Sequence, residues 1–501
     1  MEVCPNAALH ESPVARQLEA MVQSVTKLVS QQLRQPQGVE EIRLEALEDV
    51  LITILATMGC AVLKAELERR EASVAAHCES AGLHFVLRAE SDYMSRLGPV
   101  RVNRSLWRAP GRNTPTVCPL EQQAGLLEGF WLPGAARVAN IAMADLTASD
   151  AHRLFAALGL MCPSPSSLGR VPALVARLWE ASRETRETHE ALLRAQLVVP
   201  QATTTVCVSV DGVLVPMKAS SAAQAQAQAD HQAAPGKHAS GPSGYREVGC
   251  ATLSFHDSAG ERLQTIYQAR MPEPKKATLH RQLEADLQQV HTLRPDVQRV
   301  YLADGAAPNW SLAAALEATV RDAAAAAGVP YRPAVEVVDF FHACEHLKRG
   351  LDAALGEGSP HSQVEFEKLK AKLKTADNGV DLVINALRYR VRTAPRANHR
   401  LVAEVNYFRH QRHRMHYAHY RREHLPIASG VVEAACKTLA TQRLKRSGMA
   451  WGQAGGQAIL NLRTWLRSER FDLAWQIIMD CVQAPPRPSA TYAEPRLRLV
   501  A

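Results

Sequence analysis

Apolar positions along the chain change their spacing repeatedly. From residue 40 to 80, EEIRLEALEDVLITILATMGCAVLKAELERREASVAAHCES repeats apolar side chains at helical spacing over a long stretch. A short extended piece, RLGPVRVNRSLWRAP, follows, with Val100 and Val102 in alternation. Helical spacing returns in ARVANIAMADLTASDAHRLFAALGLMCPSPSSLGRVPALVARLWEA, where Thr147 caps one helix, Gly159 ends it and SPSS opens the next. Residues 1–195 are therefore expected to be mostly helical. Within 135–182, helix, glycine turn and helix give the outline of a helix-turn-helix; two packed helices give the same outline.

From Thr203 the period becomes two. TTTVCVSVDG puts Val206, Val208 and Val210 on one face and Cys207, Ser209 and Asp211 on the other. Residues 219–244, rich in Ala, Gln, Ser and Gly, read as a mobile loop. YREVGCATLSF and ERLQTIYQAR follow as two strands joined by the turn HDSAG. The pattern then alternates: a helix KKATLHRQLEADLQQV, a buried strand QRVYLADGA, a helix SLAAALEATVRDAAAAAG, and PAVEVVDFFHACEHLKRGL running from strand into helix. A hairpin series followed by helix, strand, helix, strand predicts an α/β fold with a mixed sheet in the ribonuclease-H style over 203–342. Strand signals stop after His342, so 343–424 is expected as an all-helical insertion. Residues 425–470 then return the chain to the core, and 471–501 form a C-terminal tail.

The opening of that return, LPIASGVVEAACKTL, holds one carboxylate amid small and apolar residues. Ser429 stands as an N-cap, and Glu433 falls in the first helical turn, where a negative charge is favoured. A dipole-complementing Glu paired with Lys437 is the plain explanation. Asp211 and Asp304 change that picture. Each ends a strand and precedes a glycine, and strand ends in α/β sheets face the crevice where ligands bind. Asp-Gly alone is also a common turn formula. Three convergent carboxylates suit Mg²⁺, and two such ions assist phosphodiester displacement.

Charge sharpens the expectation. The chain carries a formal +8, yet Arg388 to Arg446 alone contains fourteen Arg or Lys against three Glu and no Asp. Such clustering is the footprint of a polyanionic partner, or else a solvated basic face. In NYFRHQRHRMHYAHYRREH, a basic-aromatic helix would turn Arg409, Arg412 and Arg414 towards phosphates. Its four histidines, three residues apart, drift round a helix and cannot converge on a metal. Lys437, Arg443, Lys445 and Arg446 follow Glu433 and are further candidates for DNA contact. Cys344 and Cys436 read as packing residues, and Asn309 and Trp310 as a wall beside Asp304. Ten scattered cysteines without a CxxC pair suggest neither disulfides nor a zinc ribbon. The uncharged run Val50 to Leu63 is too short for a bilayer and reads as a buried helix. MEVCPNAALHES has no secretory pattern, so a cytoplasmic location is expected.

SVDGVLVPMK, YLADGAAPNW, VVDFFHACEHL, LPIASGVVEAACK and RLKRSGMAWGQAGGQAILNLR, in this order, resemble bacterial insertion-sequence DDE transposases of the ISKra-type group. The resemblance spans residues 95–470. It implies a ribonuclease-H-like core interrupted by a helical insertion, with Asp211, Asp304 and Glu433 as the catalytic, metal-binding triad. Asp339 and His342 fall on the DxxH motif, beside the metals. Two Mg²⁺ (or Mn²⁺) ions, terminal-inverted-repeat and target DNA, a homodimer or larger assembly, and a nucleoid-associated protein are likewise implied. Ala428 stands where Gly is usual. Cys118 stands alone where many relatives carry paired cysteines, so no zinc site is expected there. A nuclease without strand transfer, or a transposase-derived DNA-binding regulator, would share parts of the pattern.

Overall fold

The computed structural model describes residues 23, 26–27, 43–111, 114–218, 244–393 and 399–483. Nearly all of the 219–244 loop and the end of the expected tail, from 484, lie outside these residues. The chain divides into two units, Met1–Gly59 and Cys60–Ala501. In the first, the described chain is helical from Leu44, the start of helix α1 (Leu44–Ser80), and Val50 and Leu55 are exposed. The apolar run read as buried is therefore exposed along this face. Among the described residues, α1 alone is long and apolar enough to cross a membrane by length and composition.

After α1, the second unit holds a small sheet of which the sequence pattern marked only the middle strand. Strands β1 (His84–Ser95) and β2 (Gly98–Arg108) pair antiparallel, and β3 (Thr116–Val117) adds to β2. β1 carries Arg88, Glu90 and Asp92 on an exposed face, which hides its alternation. A short helix α2 (Pro119–Gln123) leads to four longer ones: α3 (Pro133–Asp145), α4 (Ala148–Ala157), α5 (Pro165–Trp179) and α6 (Arg183–Ala195). Thr147 caps α4 by accepting from Asp150 N, and Ser164 caps α5 by accepting from Ser167 N. Pro172 lies in the third turn of α5, where it is buried with Leu168, Val171, Val175 and Trp179.

Five strands form the second sheet: β4 (Thr205–Pro216), β5 (Tyr245–His256), β6 (Arg262–Arg270), β7 (Gln298–Ala303) and β8 (Val335–Val338). Their order is β6-β5-β4-β7-β8; β4, β5 and β6 run antiparallel in turn, whereas β7 and β8 lie parallel to β4. The fold is mixed α/β. Helix α7 (Ala277–Leu293) connects β6 to β7, and α8 (Ala307–Ala327) connects β7 to β8. Thr205 to Ser209 of β4 are buried without alternation, because helices cover both faces of a central parallel strand.

Helices α9 (Phe340–Leu355), α10 (Pro360–Thr375), α11 (Gly379–Thr393), α12 (His399–Gln411) and α13 (Tyr417–Arg422) follow β8. The basic-aromatic run is not one helix: a 3₁₀ turn at Arg412–Arg414 separates α12 from α13. Helix α14 (Gly430–Ala435) continues as a π-helical segment, Cys436–Thr441, and a last turn, Gln442–Leu444. It packs on the sheet through Ala435, Leu439 and Leu444 against Val215, Val248 and Met271.

Helix α15 (Gln453–Arg467) is buried on two sides. Ile459 and Leu460 face the sheet cluster, while Leu462 and Trp465 join α3 and α5. Gly456 permits the close approach to the sheet, since a Cβ there would stand 2.4 Å from Met271 Cε. The expected tail begins instead as helix α16 (Phe471–Gln483), whose Phe471, Trp475 and Ile478 enter the same core as α3 and α5. Burying such side chains stabilises by roughly 1.5–3 kcal/mol each, which fixes this segment to the N-terminal helices.

Candidate functional site

Register places three aspartates at one level. β4 and β7 pair from Thr205↔Gln298 to Val208↔Tyr301, and the same offset carried three residues on sets Asp211 opposite Asp304. β7 and β8 pair from Val300↔Val335 to Ala303↔Val338, so the next position sets Asp304 opposite Asp339. Asp339 N donates to Ala303 O at 2.7 Å, which holds that level. β4 does not end at Asp211, as its Asp-Gly pair had suggested; the strand continues to Pro216, with Asp211 facing Cys250 of β5. Gly212 is a strand residue here, and a Cβ on it would collide with the Glu247 side chain.

Each carboxylate is oriented by its neighbours. Asp211 Oδ1 accepts from Gly212 N at 2.7 Å, and Cys436 Sγ approaches Oδ2 at 3.6 Å. Its pKa is raised, by desolvation first and with the charge of Asp304 adding to it, while the Gly212 N–H, Cys436 and Lys276 oppose the shift. Asp304 Oδ1 accepts from Ala306 N and Asn309 Nδ2, both at 2.9 Å. Asn309, read as site wall, thus holds the carboxylate. Gly305 has φ +96°, and a Cβ would lie 2.9 Å from Tyr407 Oη. Glycine there lets Tyr407 donate to Asp304 O at 3.0 Å while Gln411 donates to Gly305 O at 2.8 Å. The helical insertion is thereby fastened to the end of β7, and His346 stacks on Tyr407 at 3.4 Å.

Asp339 is fully buried at the N-cap of α9. Its Oδ1 accepts from His342 N at 2.7 Å, and Oδ2 accepts from Ser429 N. Ser429 Oγ in turn donates to Glu433 Oε1 at 2.7 Å. Ser429 precedes α14 as expected, but its side chain does not cap the helix; its N–H holds Asp339 and its hydroxyl holds Glu433. Glu433 takes Ser429 as partner, and among the described residues it forms no ion pair with Lys437. One donor atom from each of Asp339, His342 and Glu433 lies within 4.8 Å of the other two. Among the described residues, this is the group gathered tightly enough to hold a cation. Asp211 and Asp304 border it without joining it. The π segment that follows Glu433 carries Cys436 to Asp211; such bulges frequently mark functional sites.

The residues expected to meet DNA separate into two kinds. Arg409, Lys437 and Lys445 are exposed. Arg412 is exposed but paired with Asp381 at 2.7 Å, and Arg446 pairs with Asp150 at 3.6 Å and donates to Asp145 O. Arg414 is held by Glu336 at 2.5 Å and lies 4.2 Å over Trp310. Arg443 is 3% exposed, lies 5.1 Å over Trp451, and burial lowers its pKa to about 10. Both side chains are used in folding, so neither forms a free basic surface. Tyr417 and Tyr420 are likewise buried, with Tyr417 Oη donating to Val338 O at 2.9 Å, so they do not offer faces for base stacking. In α5, Ser166 and Arg170 near the N-terminus are exposed while the rest of its inner face is core.

Cys436, Tyr407 and Ser429 act at the site in ways the sequence reading did not assign. Only Ser429, four residues before Glu433 and therefore on its helical face, carried a readable signal. A scan of protein-family models finds no match to this chain, and a search of curated proteins finds none either.

Proposed function

We propose that the chain is a metal-dependent DNA strand transferase of the insertion-sequence transposase type. The observation that carries the reading is the row of Asp211, Asp304 and Asp339 across adjacent parallel strands, with Glu433 tied to Asp339 through Ser429. An antiparallel β4-β5-β6 series followed by two parallel strands through helices is the arrangement expected of a ribonuclease-H-like core. The helical block between β8 and α14 stands where an insertion before the final Glu is expected.

The donor set fits divalent cations: carboxylates at one sheet edge, an imidazole, and no Lys or Arg paired with Asp211, Asp304, Asp339 or Glu433 within 4 Å among the described residues. When bound, two Mg²⁺ or Mn²⁺ ions would supply positive charge for generating an attacking oxygen and for releasing the leaving oxygen of a phosphodiester. Asp211, Asp304 and Glu433 would hold them, with Asp339 and His342 beside them. Asn309 and Ser429 keep the carboxylates in fixed orientation, so little reorganisation accompanies charge development. Exposed Arg409, Lys437 and Lys445 would receive phosphates of the transposon end and target duplex. Water would cleave at the end and free a 3′-OH, which would then attack target DNA.

Purified protein is to be incubated with Mg²⁺ or Mn²⁺, duplexes from the DNA flanking the gene, and a second duplex. Joined products are expected, and they vanish in Asp304→Asn while DNA binding persists. Cleavage without joining would move the assignment to a hydrolytic nuclease. Binding with neither would leave a DNA-binding regulator.

A further inference from the structure

We propose that Asp339, His342 and Glu433 together bind one divalent ion, with Glu433 shared with the Asp211–Asp304 part of the site, and that this position is selective for an ion that accepts imidazole, such as Mn²⁺ or Zn²⁺, over Mg²⁺. The proposal deepens the phosphoryl-transfer reading, on which it rests for the site's purpose but not for the binding itself. The three donors come from three places: the end of β8, the first turn of α9 and the first turn of α14. Their ligating atoms lie within 4.8 Å of one another.

Two further observations point to a cation. Asp339 is fully buried beside a second carboxylate, and neither has a Lys or Arg ion-pair partner among the described residues. Backbone N–H groups from His342 and Ser429 orient Asp339 but bring no full charge. Two neighbouring carboxylates without a counter-charge repel, and a bound divalent ion removes that cost. The second observation is an outer shell already in place. Glu345 Oε2 lies 3.5 Å from His342 Nδ1, a further negative charge beside the cluster, and Ser429 Oγ orients Glu433.

Ligand chemistry then selects the ion. Mg²⁺ is bound through oxygen and gives up water reluctantly; imidazole suits Zn²⁺ well, and Mn²⁺, though itself partial to oxygen, accepts a nitrogen more readily than Mg²⁺ does. One nitrogen and two carboxylates leave further positions for water or a phosphate oxygen. Asp211 and Asp304, all-oxygen and outside the cluster, form the part of the site that Mg²⁺ serves.

The test is Mn²⁺ binding to metal-stripped full-length protein without DNA, read by the electron paramagnetic resonance of free Mn²⁺ with Mg²⁺ as competitor. His342→Ala is expected to weaken the tightest site at least about tenfold. His413→Ala is expected to leave it unchanged. Glu433→Gln should weaken it similarly, and Mg²⁺ should displace Mn²⁺ only in large excess. Melting of each variant by circular dichroism establishes that it is folded; His342 is part-exposed, and His342→Asn serves if the alanine variant unfolds. Folded His342 variants that bind Mn²⁺ like the wild type, or equal competition by Mg²⁺, would overturn the proposal. Mn²⁺ binding through His342 in a protein that never cleaves DNA would stand against the strand-transfer reading alone.

Discussion

Two acidic regions of this molecule are built in opposite ways. On the β6 side of the sheet, Glu180 accepts from Arg270 Nη1 and Nη2 at 2.7 and 3.0 Å, and Asp286 pairs with Arg194 at 2.7 Å while accepting from Gln268. Arg186 stands 3.5 Å from Glu190, whose other partner is Gln282. Every carboxylate there has an arginine. At the far end of β4, β7 and β8, among the described residues, Asp211, Asp304, Asp339 and Glu433 are held by backbone N–H groups, Asn309, Ser429 and a thiol, with no Lys or Arg ion pair. Burying ions is tolerable when they are paired, and the first region is a structural joint between α6, β6, α7 and α15. The second is oriented but not neutralised, as expected of groups whose counter-charge arrives from outside.

The comparison breaks most visibly in activity. Asp304→Asn should reduce strand cleavage by at least 10²–10³-fold, the scale of losing one preorganised electrostatic group, with its thermal unfolding unchanged. Stability is the next test. Arg270→Ala leaves Glu180 charged and mostly buried, and should cost about 3–5 kcal/mol in denaturant unfolding.

Acidification should strike the paired side first. Burial lowers the pKa of His189, His256 and His291 below 6.5. The unfolded chain therefore takes up protons first, and stability is full above about pH 6.5 and falls below it. The slope is at most about 1.4 kcal/mol per pH unit for each histidine. Glu180 has a lowered pKa: desolvation pushes it up, but Arg270, Asn461 and Arg186 more than offset that. Its stabilisation is present above 4.5 and is lost as pH falls through the folded value. Urea midpoints from pH 8 to 4 read both windows; a flat profile would refute the assignment.

The smallest effects concern the basic residues. Lys445→Ala should weaken DNA binding and reduce its salt slope by about 0.9, with unfolding changed by no more than ~0.5 kcal/mol. Arg443→Met should leave the salt slope intact. Its buried Nε has no hydrogen-bond partner, and an apolar replacement is expected to be neutral or stabilising.

Much of the α/β region was legible because its strands are short apolar runs punctuated by glycine, and its helices carry clear stripes. Asp211 and Asp304 stood out for the same reason. Their common level with Asp339 did not, since register is set by pairing between strands nearly a hundred residues apart. β1 was missed because its exposed face is charged, and α16 because its core partners, α3 and α5, lie some 300 residues earlier. The basic run from Tyr407 to His424 looked uniform, but burial separates it: Tyr417 and Tyr420 fill the core while Arg409 faces solvent. Charge composition cannot distinguish an arginine that reaches outward from one stacked on an indole, as Arg414 and Arg443 are.

The most direct measurement compares strand joining by Glu433→Gln and Glu180→Gln at matched DNA occupancy. Glu433→Gln is expected to fold and bind DNA but join nothing, while Glu180→Gln melts earlier and still joins ends. Joining at wild-type rate by Glu433→Gln would contradict that expectation and return Glu433 to an ordinary charge in the first turn of a helix.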